Sequence, residues 1–201
     1  MPSSTNNHPK KNSFRRGFKT EAENISVQHR KKLSLNDHDP LSAFDLALHL
    51  KLEIWTPDQI PGITPQHLTS LIHPPGSDHW SAITLGTTDA ASAIIYNTSH
   101  SESRIQSDIM HEIAHVLLGH KMEEIDTSLG LPLRKYDQTQ EDEAEWLGGC
   151  LQLPKTALLK YYVYKNCTVE QIAETFKASV AMTKYRIGVS GVAVIKSRFK
   201  R

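Results

Sequence analysis

The longest helical pattern in the chain lies near its centre. A large aliphatic side chain recurs there at every fourth position, at Ile105, Ile109, Ile113 and Leu117. Ser99 and Glu102 have the spacing of an N-terminal capping box, so we predict a helix over about residues 100–119. Polar residues recur on another face, so one side of this helix should enter a core and the other should line a cleft.

Shorter patterns on both sides of this helix predict a mostly helical α+β chain. Helical segments are expected over residues 18–34, 40–50, 140–152 and within 155–188. Runs typical of strands predict a small sheet, at residues 50–55, 80–85 and 91–97. Because the last run leads directly into the central helix, we expect the sheet to pack on that helix. A strand in this place can pair with an extended peptide.

Composition describes one ordinary domain between polar ends. The chain has 201 residues, of which 22% are charged and 38% hydrophobic. Its net charge of +1 gives no general attraction to nucleic acid. We predict a disordered polar and basic tail over residues 1–17, a single domain over 18–195 and a basic end over 196–201.

Cysteine spacing and hydropathy indicate the cellular compartment. Cys150 and Cys167 lack the paired spacing of a disulfide framework, which favours a reducing environment. No apolar run approaches the ~20 residues needed to span a bilayer, and the polar N-terminus lacks the apolar segment of a secretory signal. We therefore expect a cytoplasmic protein without a membrane partner.

The central helix contains an H-E-x-x-H pattern, formed by His111, Glu112 and His115. Residues i and i+4 share a helical face, so the two histidines can offer ring nitrogens to one metal ion. In zinc sites of this type the glutamate acts as general base toward a water that the metal activates. The pattern is also compatible with an amphipathic helix that carries two surface histidines. A candidate for the third ligand elsewhere in the sequence would favour the metal site.

An acidic cluster on the next predicted helix offers the third ligand that catalytic zinc requires. Glu141 is the preferred ligand, and Glu143 is the alternative. Glu145 lies on the same helical face as Glu141 and is predicted to accept the second N–H of a ligating histidine. Gly148 continues this face and should allow the two helices to approach closely. At about 100° of rotation per residue, His120 is predicted to point away from the metal.

Several further segments accompany these motifs: IIYN at residues 94–97, HS at 100–101, Arg104, MHEIAHVLLGH at 110–120, and an E-x-x-A-x-x-L pattern that ends in Leu153-Pro154. Together they resemble the ImmA/IrrE family of metallo-endopeptidases over about residues 15–191. The resemblance implies a zincin-like domain, and known members of the family cut helix-turn-helix repressors. The chain departs from the family pattern at Glu145, where Asn or Asp is usual, and at Trp146, where Phe is usual.

Motif and resemblance together predict a zinc-dependent endopeptidase with a helix-turn-helix repressor as its substrate. Zinc is expected at His111, His115 and Glu141, with manganese as the alternative ion. One rival hypothesis is a non-catalytic zinc-containing module that binds a partner or senses a signal. Another is a DNA-binding regulator acting through residues 168–187, a segment for which we favour a packing role. Tyr136 is considered as an oxyanion donor, although an ordinary loop tyrosine is the preferred interpretation.

Overall fold

A computed structural model describes residues 14–86, 91–120, 123–124, 132–133 and 137–199. The elements in chain order are α1 (Phe18–Lys32), α2 (Ala43–His49), β1 (Glu53–Trp55), α3 (Pro65–Ile72), β2 (Ala82–Gly86), β3 (Ala91–Tyr96), α4 (Glu102–Leu118), β4 (Glu123–Glu124), β5 (Pro132–Leu133), α5 (Gln138–Gln152), α6 (Lys155–Leu158), α7 (Val169–Thr175), α8 (Val180–Val189) and α9 (Val192–Phe199). The predicted α+β class, mostly helical with a small sheet, is confirmed.

Three strands form a mixed sheet in the order β1-β3-β2. The central strand β3 pairs in parallel with β1, where Ile94 lies opposite Ile54. It pairs antiparallel with β2, where Ile94 lies opposite Thr84. Both β2 and β3 contact α4, so the sheet packs on the central helix as predicted. Strand β2 is an edge of this sheet, and the short strand β5 also contacts it.

Helices α4 and α5 pack tightly, and a glycine sets their separation. A Cβ atom added to Gly148 of α5 would lie 3.3 Å from both the backbone nitrogen and the Cα atom of His111 in α4. Since protein interiors are close-packed, a larger side chain here would force the two helices apart. The close approach predicted at Gly148 is therefore confirmed. Fully buried residues surround this contact, including Met110, Ile113, Leu147 and Leu151.

Two fully buried arginines link the helices: Arg30 joins α1 to the C-terminal part of α5, and Arg186 joins α8 to α1. Arg30 of α1 donates to the carbonyl of Leu151 over 2.7 Å and to the hydroxyl of Ser26 over 2.6 Å. Burial lowers the pKa of Arg30 to about 10, which leaves the guanidinium charged at neutral pH. Arg186 of α8 donates to Glu23 of α1 over 2.6 Å. Removing one partner of such a buried charge pair typically costs about 3–5 kcal/mol.

The C-terminal helices build a second apolar cluster. Its buried members include Leu153, Leu158, Ile172, Phe176 and Ile187. The pair α7–α8, which was considered as a DNA-binding unit, thus buries one side against the neighbouring helices. The helix predicted from residue 155 continues beyond α6 as a π-helical segment, Leu159–Tyr164.

The packed part of the chain is longer than predicted at both ends. Phe14 stacks on Phe18 with ring centroids 5.3 Å apart and also contacts Trp146, so it joins the main core although it falls within the predicted tail. The rest of that tail, residues 1–13, lies outside the described residues. Helix α9 runs to Phe199, so much of the predicted basic end is helical. Within the described ranges, no helix combines the length and apolar character needed to cross a membrane.

We predict that Gly148→Val lowers the free energy of unfolding by about 1–3 kcal/mol, because its side chain meets the backbone of α4. Urea unfolding followed by circular dichroism measures this change. The matched control is Gly188→Val in α8, where an added Cβ meets nothing within 4 Å. That variant should stay within about 0.5 kcal/mol of the wild type. Equal unfolding curves for both variants would contradict the close-packing argument.

Candidate metal centre

Helix α4 brings two histidine rings to one point. His111 and His115 lie one turn apart, and their Nε2 atoms are 3.0 Å from each other. Their ring centroids are 4.7 Å apart. The helix continues through both residues and ends at Gly119, whose left-handed backbone (φ 66°) is a conformation that glycine adopts without strain. Two ring nitrogens therefore converge on the side of α4 that faces away from the aliphatic stripe.

The first turn of α5 supplies a carboxylate to the same point. Asp137 caps this helix through its side chain, which places Glu141 one turn inside its N-terminus. Oε2 of Glu141 lies 3.2 Å from Nε2 of His111, and Oε1 lies 3.5 Å from Nε2 of His115. The close approach at Gly148 holds α5 near enough to α4 for these contacts to form.

The three side chains fit a metal ion. Ligand atoms in a tetrahedral zinc site with bonds of about 2.0–2.1 Å lie roughly 3.3 Å apart. The separations here run from 3.0 to 3.5 Å, and among the described residues these three form a group that could hold a metal ion, called the metal-binding group below. His115 is fully buried, whereas the side chains of His111 and Glu141 are 31% and 27% exposed. The group therefore opens to solvent on one side, where water or a substrate has access.

Glu112 lies next to this group and is held by the edge strand β2. The residue is 8% exposed, and its Oε2 accepts a hydrogen bond from the hydroxyl of Thr84, which is 4% exposed. A buried carboxylate with a fixed partner has few orientations available. Thr84 was not among the predicted site residues. The sequence carried no signal for it, because strand alternation places Thr84 on the face opposite Ile83 and Leu85, the side chains expected in the core.

His120 lies against His115, contrary to the prediction that it points away. The prediction counted helical rotation as far as His120, but α4 ends at Leu118 and the left-handed backbone of Gly119 changes the direction of the chain. The amide of His120 donates to the carbonyl of His115 over 3.1 Å, and the Nδ1 atoms of the two rings are 2.8 Å apart. His120 is therefore close to the metal-binding group without belonging to it.

The two other glutamates considered on α5 occupy different surroundings. Oε2 of Glu143 lies 3.5 Å from Nε2 of His120. Glu143 therefore contacts a neighbour of His115 and is not one of the three convergent side chains. Glu145 is exposed, and no hydrogen bond joins it to a histidine ring within the described part of the chain. Glu145 instead lies near Tyr185 of α8. Burial raises the pKa of Tyr185, and the negative charge of Glu145 raises that pKa further. Tyr136 lies outside the described residues.

A comparison with models of known families identifies the relationship that the motifs suggested. Residues 77–188 match the Peptidase_M78 model, described as the IrrE N-terminal-like domain. The match covers more than half of the chain and includes β2, β3, α4 and α5. The chain belongs to this family. Searches of curated proteins and of solved structures found no match.

Membership in the Peptidase_M78 family supports metallopeptidase activity. The convergence of His111, His115 and Glu141 supports a bound metal ion, because these are the residue types that such an ion needs at distances that it can bridge. A protein is the class of substrate that a peptidase family indicates.

We predict that His115→Ala and Glu141→Ala each lose most of the metal that the wild type retains on purification. Each variant removes one of three donors, and the remaining two bind an ion too weakly to survive dilution. Elemental analysis by mass spectrometry gives the metal content per chain. His67→Ala is the control, because His67 is an exposed histidine on α3. Full retention of metal by His115→Ala would exclude this centre.

Proposed function

We propose that this member of the Peptidase_M78 family is a zinc-dependent endopeptidase that cleaves a helix-turn-helix repressor. The observation that carries the proposal is the convergence of His111, His115 and Glu141 at the helical turn that also carries the buried Glu112. Family membership supports the same reaction class. The ImmA/IrrE proteins that the motifs resemble cut repressors of this type, and that resemblance supplies the substrate class. We propose the cytoplasm as the compartment where enzyme and repressor meet.

His111, His115 and Glu141 would hold the ion through two neutral donors and one anionic donor. A bound zinc ion would act as a Lewis acid and lower the pKa of the attacking water from ~15.7 towards ~7. Manganese remains the alternative ion, because ligation by two histidines and a carboxylate does not discriminate sharply between the two. With three protein donors, the exposed side of the site would stay open to water or a substrate.

Glu112 would accept the proton of the attacking water and deliver it to the leaving amine. Its position supports this role, since the residue lies between the two histidines in the sequence of α4 and is buried. The hydroxyl of Thr84 would hold the carboxylate in the orientation needed for proton transfer through its hydrogen bond to Oε2. Thr84 is then a positioning residue for the proposed base.

An extended substrate segment would pair with the edge of β2. This strand contacts α4, and Thr84 within it contacts Glu112, so a peptide aligned on the strand would pass close to the metal centre. Main-chain hydrogen bonds to a sheet edge bind a peptide in extended form with little dependence on its sequence. The short strand β5 also approaches β2, which limits the length of edge that a peptide can use.

We predict that Glu112→Gln retains wild-type zinc content and lowers the cleavage rate by at least about 10²-fold, because glutamine cannot accept the proton. The measurement combines metal analysis with mass spectrometry of the products from a helix-turn-helix repressor. Glu102→Gln, the same substitution at an exposed position of α4, should cleave normally. Wild-type rates for Glu112→Gln would exclude the proposed base. Zinc in all three proteins without cleavage across a panel of repressors would favour the non-catalytic module.

We predict that Thr84→Val lowers kcat about tenfold while KM and zinc content change little. Valine keeps the shape of threonine but cannot donate to Glu112, so the base loses its fixed orientation. Thr84→Ser restores the donor and should recover most of the lost kcat. Steady-state kinetics on a cleaved repressor or a peptide derived from it separates the two constants. Equal kcat values for the valine variant and the wild type would show that Thr84 does not position the base.

A further inference from the structure

The buried ring of His115 uses its two nitrogens in different directions. Nε2 faces the metal-binding group, at 3.0 Å from Nε2 of His111 and 3.5 Å from Oε1 of Glu141. Nδ1 points the other way and lies 2.8 Å from Nδ1 of His120. The side chain of His115 is fully buried and that of His120 is 7% exposed, so their contact is largely shielded from water.

Metal binding at Nε2 of His115 would determine which nitrogen carries the proton in each of the two rings, His115 and His120. A neutral imidazole that offers Nε2 to a cation keeps its proton on Nδ1, so a metal-bound His115 would donate from Nδ1 to His120. Nδ1 of His120 is then the acceptor of this hydrogen bond and carries no proton. The proton of a neutral His120 ring therefore sits on Nε2, on the side away from His115.

An acidic side chain faces that second nitrogen of His120. Oε2 of Glu143 lies 3.5 Å from Nε2, at the outer limit of a hydrogen bond, and the Glu143 side chain is 14% exposed. The other oxygen of Glu143 lies 3.8 Å from Nε of Arg15, which also pairs with Glu21. The carboxylate attracts the Nε2 proton of His120 and so favours the tautomer that His115 requires.

We propose that His120 and Glu143 are positioning residues that fix the tautomer and ring orientation of His115 and thereby strengthen binding of the metal ion. This inference rests on the metal centre of the proposed function and assigns a role to a histidine and a glutamate that are not ligands themselves. Groups that accept the second N–H of a ligating histidine usually contribute 10–100-fold in metal affinity, although the acceptor is commonly a carboxylate, a carbonyl or water. Here another histidine holds that place and Glu143 orients it.

The direct test is the zinc affinity of the full chain, measured by competition with a chromophoric chelator. His120→Leu removes the acceptor and should weaken zinc binding about 10–100-fold. His120→Asn places an amide oxygen near the position of Nδ1 and should stay within about threefold of the wild type. His67→Leu is the control for loss of a histidine. Circular dichroism of each metal-free variant confirms that it remains folded.

Glu143→Gln tests whether the carboxylate of Glu143 orients the His120 ring. Glutamine keeps the length of the side chain and an accepting oxygen but loses the charge, so a weakening of about threefold is expected, smaller than that for His120→Leu. Nitrogen-15 NMR of the histidine rings in the zinc-loaded wild type provides a readout independent of affinity. It should show His115 protonated at Nδ1 and His120 protonated at Nε2.

Either of two results overturns the inference: equal zinc affinity for His120→Leu and the wild type, or a proton on Nδ1 of His120 in the zinc-loaded protein. A wild type that binds no zinc would overturn it together with the metal centre. Absence of peptidase activity in a protein that binds zinc would contradict the proposed function alone, because the affinities and ring protons are measured without a substrate.

Discussion

Helices α4 and α5 meet at Gly148, where the lack of a side chain lets the α5 backbone approach that of His111. This contact determines what the first turn of α5 can reach. Glu141 lies two turns before Gly148 on the same helix, so the separation of the helices sets the distance between its carboxylate and the two histidine rings. A side chain at position 148 would push α5 away from α4 and lengthen the distance from Glu141 to the two histidine rings. The close packing of α4 on α5 is thus required for the three candidate ligands to converge.

Buried polar contacts extend this constraint to the rest of the molecule. Arg30 joins α1 to the C-terminal end of α5, and Arg186 joins α8 to α1. Both guanidinium groups are fully buried and hydrogen-bonded, which gives the helices a defined register that apolar packing alone does not provide. The site therefore rests on a helix that is held at its centre by apolar packing and a glycine contact, and at its end by a buried arginine.

Local patterns in the sequence predicted those features of the candidate site that are determined within a single helix. The spacing of His111 and His115 and the position of Glu141 near a helix start are properties of single elements. Thr84 and His120 were missed for different physical reasons. Thr84 reaches Glu112 only because β2 packs on α4, and His120 reaches His115 only because Gly119 reverses the chain. The burial of Arg30 likewise depends on Leu151, far along the sequence.

The central claim is that His111, His115 and Glu141 together hold one zinc ion. Crystals of the zinc-loaded protein, with diffraction recorded on both sides of the zinc absorption edge, test it most directly. The account predicts one anomalous peak within about 2.0–2.2 Å of both Nε2 atoms and of a Glu141 oxygen. A peak bound by other side chains, or none near these residues in protein that has retained zinc, would contradict it.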